Sequence, residues 1–117
     1  MPHLILEASS NIIETNDKIK ISLQNCQQVI VESLDATIQN CTSRAVLHDL
    51  CVIGDGSPRG AFLHLTVKLL KGRSPEKLSM AAKNLQQTLK NDFQKSLSNL
   101  NLNISVEIVE LSDYFVK

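Results

Sequence analysis

Pro2-His3-Leu4-Ile5-Leu6-Glu7-Ala8-Ser9 is the stretch of sequence on which the predicted fold depends. It is short, rich in leucine and isoleucine and free of glycine, which is typical of a buried β-strand. A proline at the second position normally permits removal of Met1, and this would leave Pro2 with a free secondary amine. Because the strand starts at once, we expect the sheet to hold that amine in a fixed position.

A helix is predicted to follow this strand. Polar residues at Thr15-Asn16-Asp17 can cap its first turn through side-chain oxygens. Apolar residues then recur at intervals of three or four, which indicates one buried stripe on a helix: Ile19, Leu23, Cys26, Ile30 and Leu34. A polar stretch over residues 35–43 follows, and residues 45–53 are predicted to form the second strand.

The second half of the chain repeats this order. Residues 54–60 predict a turn-forming loop, and the next run alternates, with Leu63, Leu65, Val67 and Leu69 on one face. Ser74 as N-cap and Pro75 at the first helical position predict a second helix. Its apolar stripe extends to Leu97, and residues 104–108 predict a fourth strand. The tail, residues 111–117, has two aromatic residues, so we expect it to pack against a neighbouring subunit.

The order of elements is β-α-β-β-α-β, which predicts an α+β fold. We expect a single domain over residues 1–117, made of two β-α-β units at about residues 2–53 and 61–110 plus the C-terminal tail. Each crossover helix makes its two strands parallel, and the short central loop makes the units antiparallel. The result is a four-stranded mixed sheet with two helices on one face. The second face is expected to meet other subunits in a closed cyclic oligomer.

The composition argues against several classes of function and location. The 117 residues have a formal net charge of zero, which argues against nucleic acid or anionic membrane as a partner. No apolar run approaches the roughly 18 to 20 residues of a membrane span. Nothing marks the chain for export, and the three cysteines form no Cys-x-x-Cys pair, so a cytoplasmic protein with reduced thiols is expected. The glycines of residues 54–60 lack the Gly-Lys-Ser/Thr ending of a phosphate-binding loop.

The predicted topology brings three chemically useful residues to one edge of the sheet. Strand two starts near Arg44 on the edge that holds Pro2, and strand three ends near Arg73 on that edge. Arginine binds carboxylates through two parallel hydrogen bonds, and a nearby cation favours the neutral form of an amine. A base beside two carboxylate-binding groups suits proton transfer on a small diacid.

Three segments resemble the 5-carboxymethyl-2-hydroxymuconate isomerase family of the tautomerase superfamily: Pro2 to Ser9, the Ala-Phe-Leu-His-Leu-Thr-Val-Lys stretch that begins at Ala61, and Gly72-Arg73-Ser74 before a helix. The resemblance implies β-α-β units in a homotrimer or hexamer, no cofactor, and a small dicarboxylate or tricarboxylate substrate. By the same resemblance Pro2 is the catalytic base, while Arg44 and Arg73 bind substrate. The family pattern has two arginines before strand two, whereas this chain has Arg44 alone.

Two other classes of function remain open at this point. A ferredoxin-like binding or regulatory module has the same order of elements and would hold a small ligand or partner without catalysis. A catalytically silent relative would keep the trimer and lose the substrate. His3, His48 and His64 could converge on a metal, but no carboxylate stands at a defined spacing from them, so sheet or interface histidines are expected and no metal is predicted. Glu7 is a weak candidate for assisting proton transfer.

Overall fold

Four strands form one mixed sheet, and three helices cover one of its faces. The computed structural model describes residues 2–117, so Met1, whose removal the sequence analysis expects, lies outside the described residues. The elements are β1 (His3–Ser9), α1 (Asn16–Leu34), a short 3-10 turn (Ile38–Asn40), β2 (Thr42–His48), β3 (Gly60–Leu69), α2 (Pro75–Asp92), α3 (Gln94–Asn99) and β4 (Asn101–Glu110).

The strand order is β2-β1-β3-β4, so the first strand of each unit lies in the centre. β1 runs parallel to β2 and antiparallel to β3, and β3 runs parallel to β4. The predicted four-stranded mixed sheet is confirmed. In each unit the two strands joined by a helix are direct neighbours, whereas a split β-α-β unit places another strand between them. The ferredoxin-like topology is therefore wrong for this chain.

Buried and partly exposed side chains alternate along the two central strands, so the sheet has a core face and an open face. Leu4, Leu6 and Ala8 of β1 are no more than 1% exposed, and the predicted inward residues of β3 are equally buried. These side chains pack against the apolar stripes of α1 and α2 in one hydrophobic cluster, and each large one contributes about 1.5–3 kcal/mol by leaving water. The opposite surface, here called the open face, consists of His3, Ile5, Glu7, Thr42, Arg44, Val46, His48, Phe62, His64, Thr66, Lys68, Asn103, Ser105, Glu107 and Val109.

Both long helices begin where the sequence predicts. The side chain of Thr15 accepts a hydrogen bond from the Lys18 N–H at 3.3 Å, and the Ser74 hydroxyl accepts one from the Lys77 N–H at 3.2 Å. Pro75 occupies the first position of α2, where its missing N–H costs nothing. Within residues 2–117, no helix combines the length and the apolar character needed to cross a membrane.

The second strand was predicted at residues 45–53, and this is wrong at both ends. β2 extends from Thr42 to His48 because its parallel partner β1 has residues to pair with it only from His3 to Ser9. Beyond that point the apolar residues have no sheet to join: Leu50 is 98% exposed and Val52 is 83% exposed. The connection to β3 therefore includes residues 49–59.

The predicted second helix is interrupted at Phe93, which separates α2 from α3. Phe93 itself is fully buried and has a non-helical backbone (φ −111°, ψ 38°). The buried Glu14 carboxylate fixes the new helix, because it accepts hydrogen bonds from the Ser96 N–H at 3.1 Å and from the Ser96 hydroxyl. The Ile13 N–H in turn donates to that hydroxyl at 2.8 Å. The loop after β1 thus anchors α3.

The C-terminal tail lies near the end of β3, where its Asp113 pairs with Lys71 at 3.2 Å. Its first residue, Leu111, donates its N–H to the Leu69 carbonyl, and Phe115 is half-buried beside Leu70. Tyr114 is 91% exposed and Val116 is 89% exposed. The expected docking of this segment on another subunit stays a prediction.

The three thiols should react at very different rates. Burial, with a smaller effect of the Asp92 carboxylate, raises the pKa of the Cys26 thiol to about 12, and partial burial also raises the pKa of Cys41. Because the thiolate is the reactive form, Ellman's reagent at pH 8 should modify exposed Cys51 fast, Cys41 slowly and Cys26 only after denaturation. Cys51→Ser should remove the fast phase alone. Three equally fast thiols in the native protein would contradict this packing.

Removing the anchor of α3 should destabilise the whole domain. Glu14→Ala leaves the buried Ser96 N–H without its partner, which costs about 1–3 kcal/mol in the free energy of unfolding. Glu32→Ala is the matched control, because Glu32 is exposed on α1 and accepts only from Gln28 one turn away, a pair worth about 0.2–0.5 kcal/mol. Urea unfolding followed by circular dichroism measures both. Equal losses in the two variants would show that Glu14 has no special role.

Candidate active site

Pro2 is buried directly before β1, at the end of the sheet where that central strand starts. Its carbonyl accepts a hydrogen bond from the Thr42 N–H at 3.0 Å, which continues the parallel pairing of β1 and β2. On the other side, the antiparallel register pairs His3 with Lys68, so the chain around Pro2 faces the end of β3. The backbone of Pro2 is therefore fixed by the sheet, as the sequence analysis expected.

Arg44 lies on the open face at the same end of the sheet. It pairs with Ile5 across the strands, and its side chain reaches back toward the start of β1, with Nη1 3.4 Å from Nδ1 of His3. A guanidinium can only donate, so Nδ1 is the acceptor in this contact. His3 thus orients Arg44. Sequence reasoning missed this contact, and its one signal is that both residues fall on the same face when the strands pair in register.

Arg73 lies in the loop between β3 and α2, at the Pro2 end of the sheet, and its side chain is bonded to the end of α1. Its Nε donates to the Leu34 carbonyl at 3.0 Å, and its Nη1 donates to the Leu70 carbonyl at 3.1 Å. Gly72 precedes it with a φ of 126°, a conformation that glycine adopts readily. The guanidinium therefore satisfies a carbonyl at the C-terminal end of α1 while standing at the edge of the sheet.

A surface pocket of about 480 Å³ opens beside Arg73, between the end of α1 and the start of α2. Lys71 and Lys77 line it together with Arg73, and Asp35 is its one acidic residue. Lys77 pairs with Asp35 at 3.3 Å. The pocket is cationic overall, so its charge suits an anion.

The remaining candidates lie apart from Pro2. Glu7 is five residues further along β1, about 16 Å away at strand spacing, and its carboxylate is 3.9 Å from the His48 imidazole. His64 contacts Ser105 at 2.7 Å and Glu107 at 3.7 Å. The described part of the chain contains no group of three histidine, cysteine or acidic side chains arranged to hold a metal ion.

The structure thus brings Pro2, Arg44 and Arg73 to one end of the sheet, each in a different setting. Pro2 is buried, Arg44 is exposed and bonded to one imidazole, and Arg73 is half-buried and bonded to two carbonyls.

Comparisons with known proteins identify relatives that cover almost the whole chain. The family model of 5-carboxymethyl-2-hydroxymuconate isomerase matches residues 2–116. The 5-carboxymethyl-2-hydroxymuconate Delta-isomerase of Escherichia coli is 32% identical over 115 residues, which cover 95% of this chain and 87% of that protein.

Solved structures show the same fold. A 5-carboxymethyl-2-hydroxymuconate isomerase from Deinococcus radiodurans superimposes with a TM-score of 0.86 at 27% identity, covering 99% of this chain and 88% of that one. A fused 4-OT protein, described as a symmetric trimer, has a TM-score of 0.76 at 15% identity, covering 97% and 89%. The chain therefore belongs to the 5-carboxymethyl-2-hydroxymuconate isomerase family, a group of isomerases within the tautomerase superfamily.

Proposed function

We propose that this protein converts a 2-hydroxy-dienoate dicarboxylate, of the 5-carboxymethyl-2-hydroxymuconate type, to its conjugated keto isomer with the amino-terminal proline as general base and acid. The observation that supports this most is the fixed, buried position of Pro2 at the edge of the sheet where Arg44 and Arg73 also lie. The name of the Escherichia coli relative supports the same substrate class.

The proposed reaction moves one proton and needs no cofactor. After removal of Met1, the neutral amine of Pro2 accepts the proton of the 2-hydroxyl group, and the electrons shift through the diene to give a dienolate. The protonated amine then returns the proton to the distant carbon, which forms the conjugated ketone and regenerates the base. Burial and neighbouring cations both favour the neutral amine, and general acid–base assistance of this kind contributes about 10²- to 10⁴-fold.

The two arginines have distinct tasks in this proposal. Arg44 is exposed, and among residues 2–117 its guanidinium contacts one imidazole, so it is available to bind a substrate carboxylate. Arg73 donates Nε and Nη1 to backbone carbonyls, which hold the guanidinium still while its second terminal nitrogen stabilises the charge that develops on the dienolate oxygen. A donor fixed in advance needs no reorganisation as the charge forms.

We further propose that three copies assemble through the open face. This surface exposes Val46, Val109 and other side chains that the chain itself leaves half-covered. It has two acidic residues, Glu7 and Glu107, and two basic ones, Arg44 and Lys68. The symmetric 4-OT trimer has the same fold, which supports closure into a ring of three. The end of the sheet that holds Pro2 then lies at the rim of this interface.

Replacing the proline should abolish most of the catalysis. We expect the native protein to ketonise a 2-hydroxymuconate-type dienol, followed by ultraviolet absorbance, and Pro2→Ala to be slower by about 10²-fold or more, because the variant has a primary amine in place of the positioned secondary amine. Intact mass must confirm the loss of Met1 in both proteins.

Pro58→Ala provides the matched control, since Pro58 is exposed in the loop between β2 and β3 and its replacement should leave the rate unchanged. A second variant with one residue inserted before Pro2 keeps the ring but converts its nitrogen to an amide, and it should be as slow as Pro2→Ala. Equal rates in all variants, or no rate above buffer in the native protein, would refute catalysis by Pro2 and favour a silent relative or a binding module.

The assembly can be tested by mass. Size-exclusion chromatography with light scattering should give about three times the chain mass of 13.0 kDa. Thr66→Arg places a long charged side chain in the middle of the open face and should dissociate the trimer, because taking that charge out of water is costly. Thr88→Arg adds the same charge at a half-buried position of α2 and should not. Dissociation by both variants, or by neither, would contradict assembly through the open face.

A further inference from the structure

The Pro2 end of the open face has a group of three nitrogen-bearing side chains, here called the cationic cluster: His3, Arg44 and Lys68. His3 is the first residue of β1 and pairs directly with Lys68 of β3. Arg44 approaches from β2 on the other side, with Nη1 3.4 Å from the His3 imidazole. All three lie on the surface that faces away from the helices, since the neighbouring Leu4 and Val67 are fully buried in the core.

The two carboxylates of this face lie outside the cationic cluster. Glu7 is further along β1, and Glu107 is on β4, level with Arg44 across the sheet. They lie 3.9 and 3.7 Å from the imidazoles of His48 and His64. Among residues 2–117, no carboxylate lies within 4.0 Å of the Arg44 guanidinium or the Lys68 ammonium.

Two other lysines of the described chain have a carboxylate partner. Lys71 pairs with Asp113 at 3.2 Å, and Lys77 pairs with Asp35 at 3.3 Å. Among residues 2–117, Lys68 of β3 has no such partner, and β1 separates it from Arg44 of β2. Two cations on a surface that is covered in the assembly need an anion nearby or continued access to water, because burying an unpaired charge is strongly unfavourable.

We propose that the cationic cluster binds the second carboxylate of the substrate, the one remote from the reacting hydroxyl. This inference rests on the proposed function, and it assigns Lys68 and His3 to substrate binding beside Arg44. The Arg44 guanidinium supplies a planar fork of N–H donors, and the Lys68 ammonium supplies a mobile point charge. With Nδ1 as the acceptor from Arg44, a neutral His3 ring can donate through its Nε2–H.

The geometry suits a single carboxylate. Neighbouring strands are about 4.8 Å apart, and a lysine side chain is longer than that spacing. Because Lys68 stands next to His3 and Arg44 already reaches His3, a carboxylate above the imidazole is contacted from both sides. The cluster lies at the same end of β1 as Pro2, so a short dicarboxylate can have one end at the proline and the other at the cluster.

The test compares two six-carbon acids that differ by one carboxylate, adipate and hexanoate, in titration calorimetry with the assembled protein. The native protein should bind adipate more tightly than hexanoate. Lys68→Gln should weaken adipate binding about tenfold, which corresponds to about 1.4 kcal/mol, and leave hexanoate binding unchanged. Lys83→Gln, on the exposed face of α2, should change neither affinity.

Kinetics and mass provide the second readout. With a 2-hydroxymuconate-type dienol, Lys68→Gln should raise KM about tenfold at unchanged kcat, and light scattering should show an intact trimer. Equal affinity for both acids in the native protein, or an unchanged adipate affinity in Lys68→Gln, would overturn the assignment. Dissociation of the Lys68→Gln assembly would also overturn it, since the lysine would then pair with a neighbouring copy. Pro2→Ala should still bind adipate, so failure of the catalytic proposal is distinguishable from failure of this one.

Discussion

Backbone pairing on both sides of β1 is the constraint on which the rest of the structure depends. The strand is parallel to β2 and antiparallel to β3, and each pairing is in register from His3 onward. This fixes the backbone of Pro2, because its carbonyl is already part of the ladder through Thr42. It also determines which side chains of β2 and β3 flank the start of β1. Strand register therefore positions Pro2 and Arg44, whereas Arg73 lies in the loop after β3.

Features of the fold that depend on a single helix or strand could be predicted from the sequence. The alternation in β3 and the spacing of apolar residues in α1 are properties of a single element, and so are the Thr15 and Ser74 caps, and all of them were predicted correctly. The boundaries of β2 were not, because residues 50–53 are as apolar as a strand but lie beyond the last residue of β1 that could pair with them. The length of β2 is therefore set by its pairing partner, β1.

The break at Phe93 and the neighbours of Arg44 depend on contacts between distant parts of the sequence. Glu14 fixes the start of α3 from 82 residues away, and His3 contacts Arg44 across 41 residues. Sequence order placed Pro2, Arg44 and Arg73 at one edge, since that follows from strand direction. The burial and the hydrogen-bond partners of these three residues could not be predicted, because they depend on which carbonyls and imidazoles lie nearby in the folded chain.

The hydrogen bonds of Arg73 have a consequence for how this position can vary among related sequences. One guanidinium joins the last turn of α1 to the residue after β3, and the same group stands at the edge of the candidate site. A lysine has one nitrogen and no planar fork, so it cannot reproduce both carbonyl contacts in the same geometry. Under the role proposed for Arg73, selection for folded protein and selection for turnover act on a single side chain. Position 73 should tolerate less drift than Arg44, which is exposed and can change without loosening the fold.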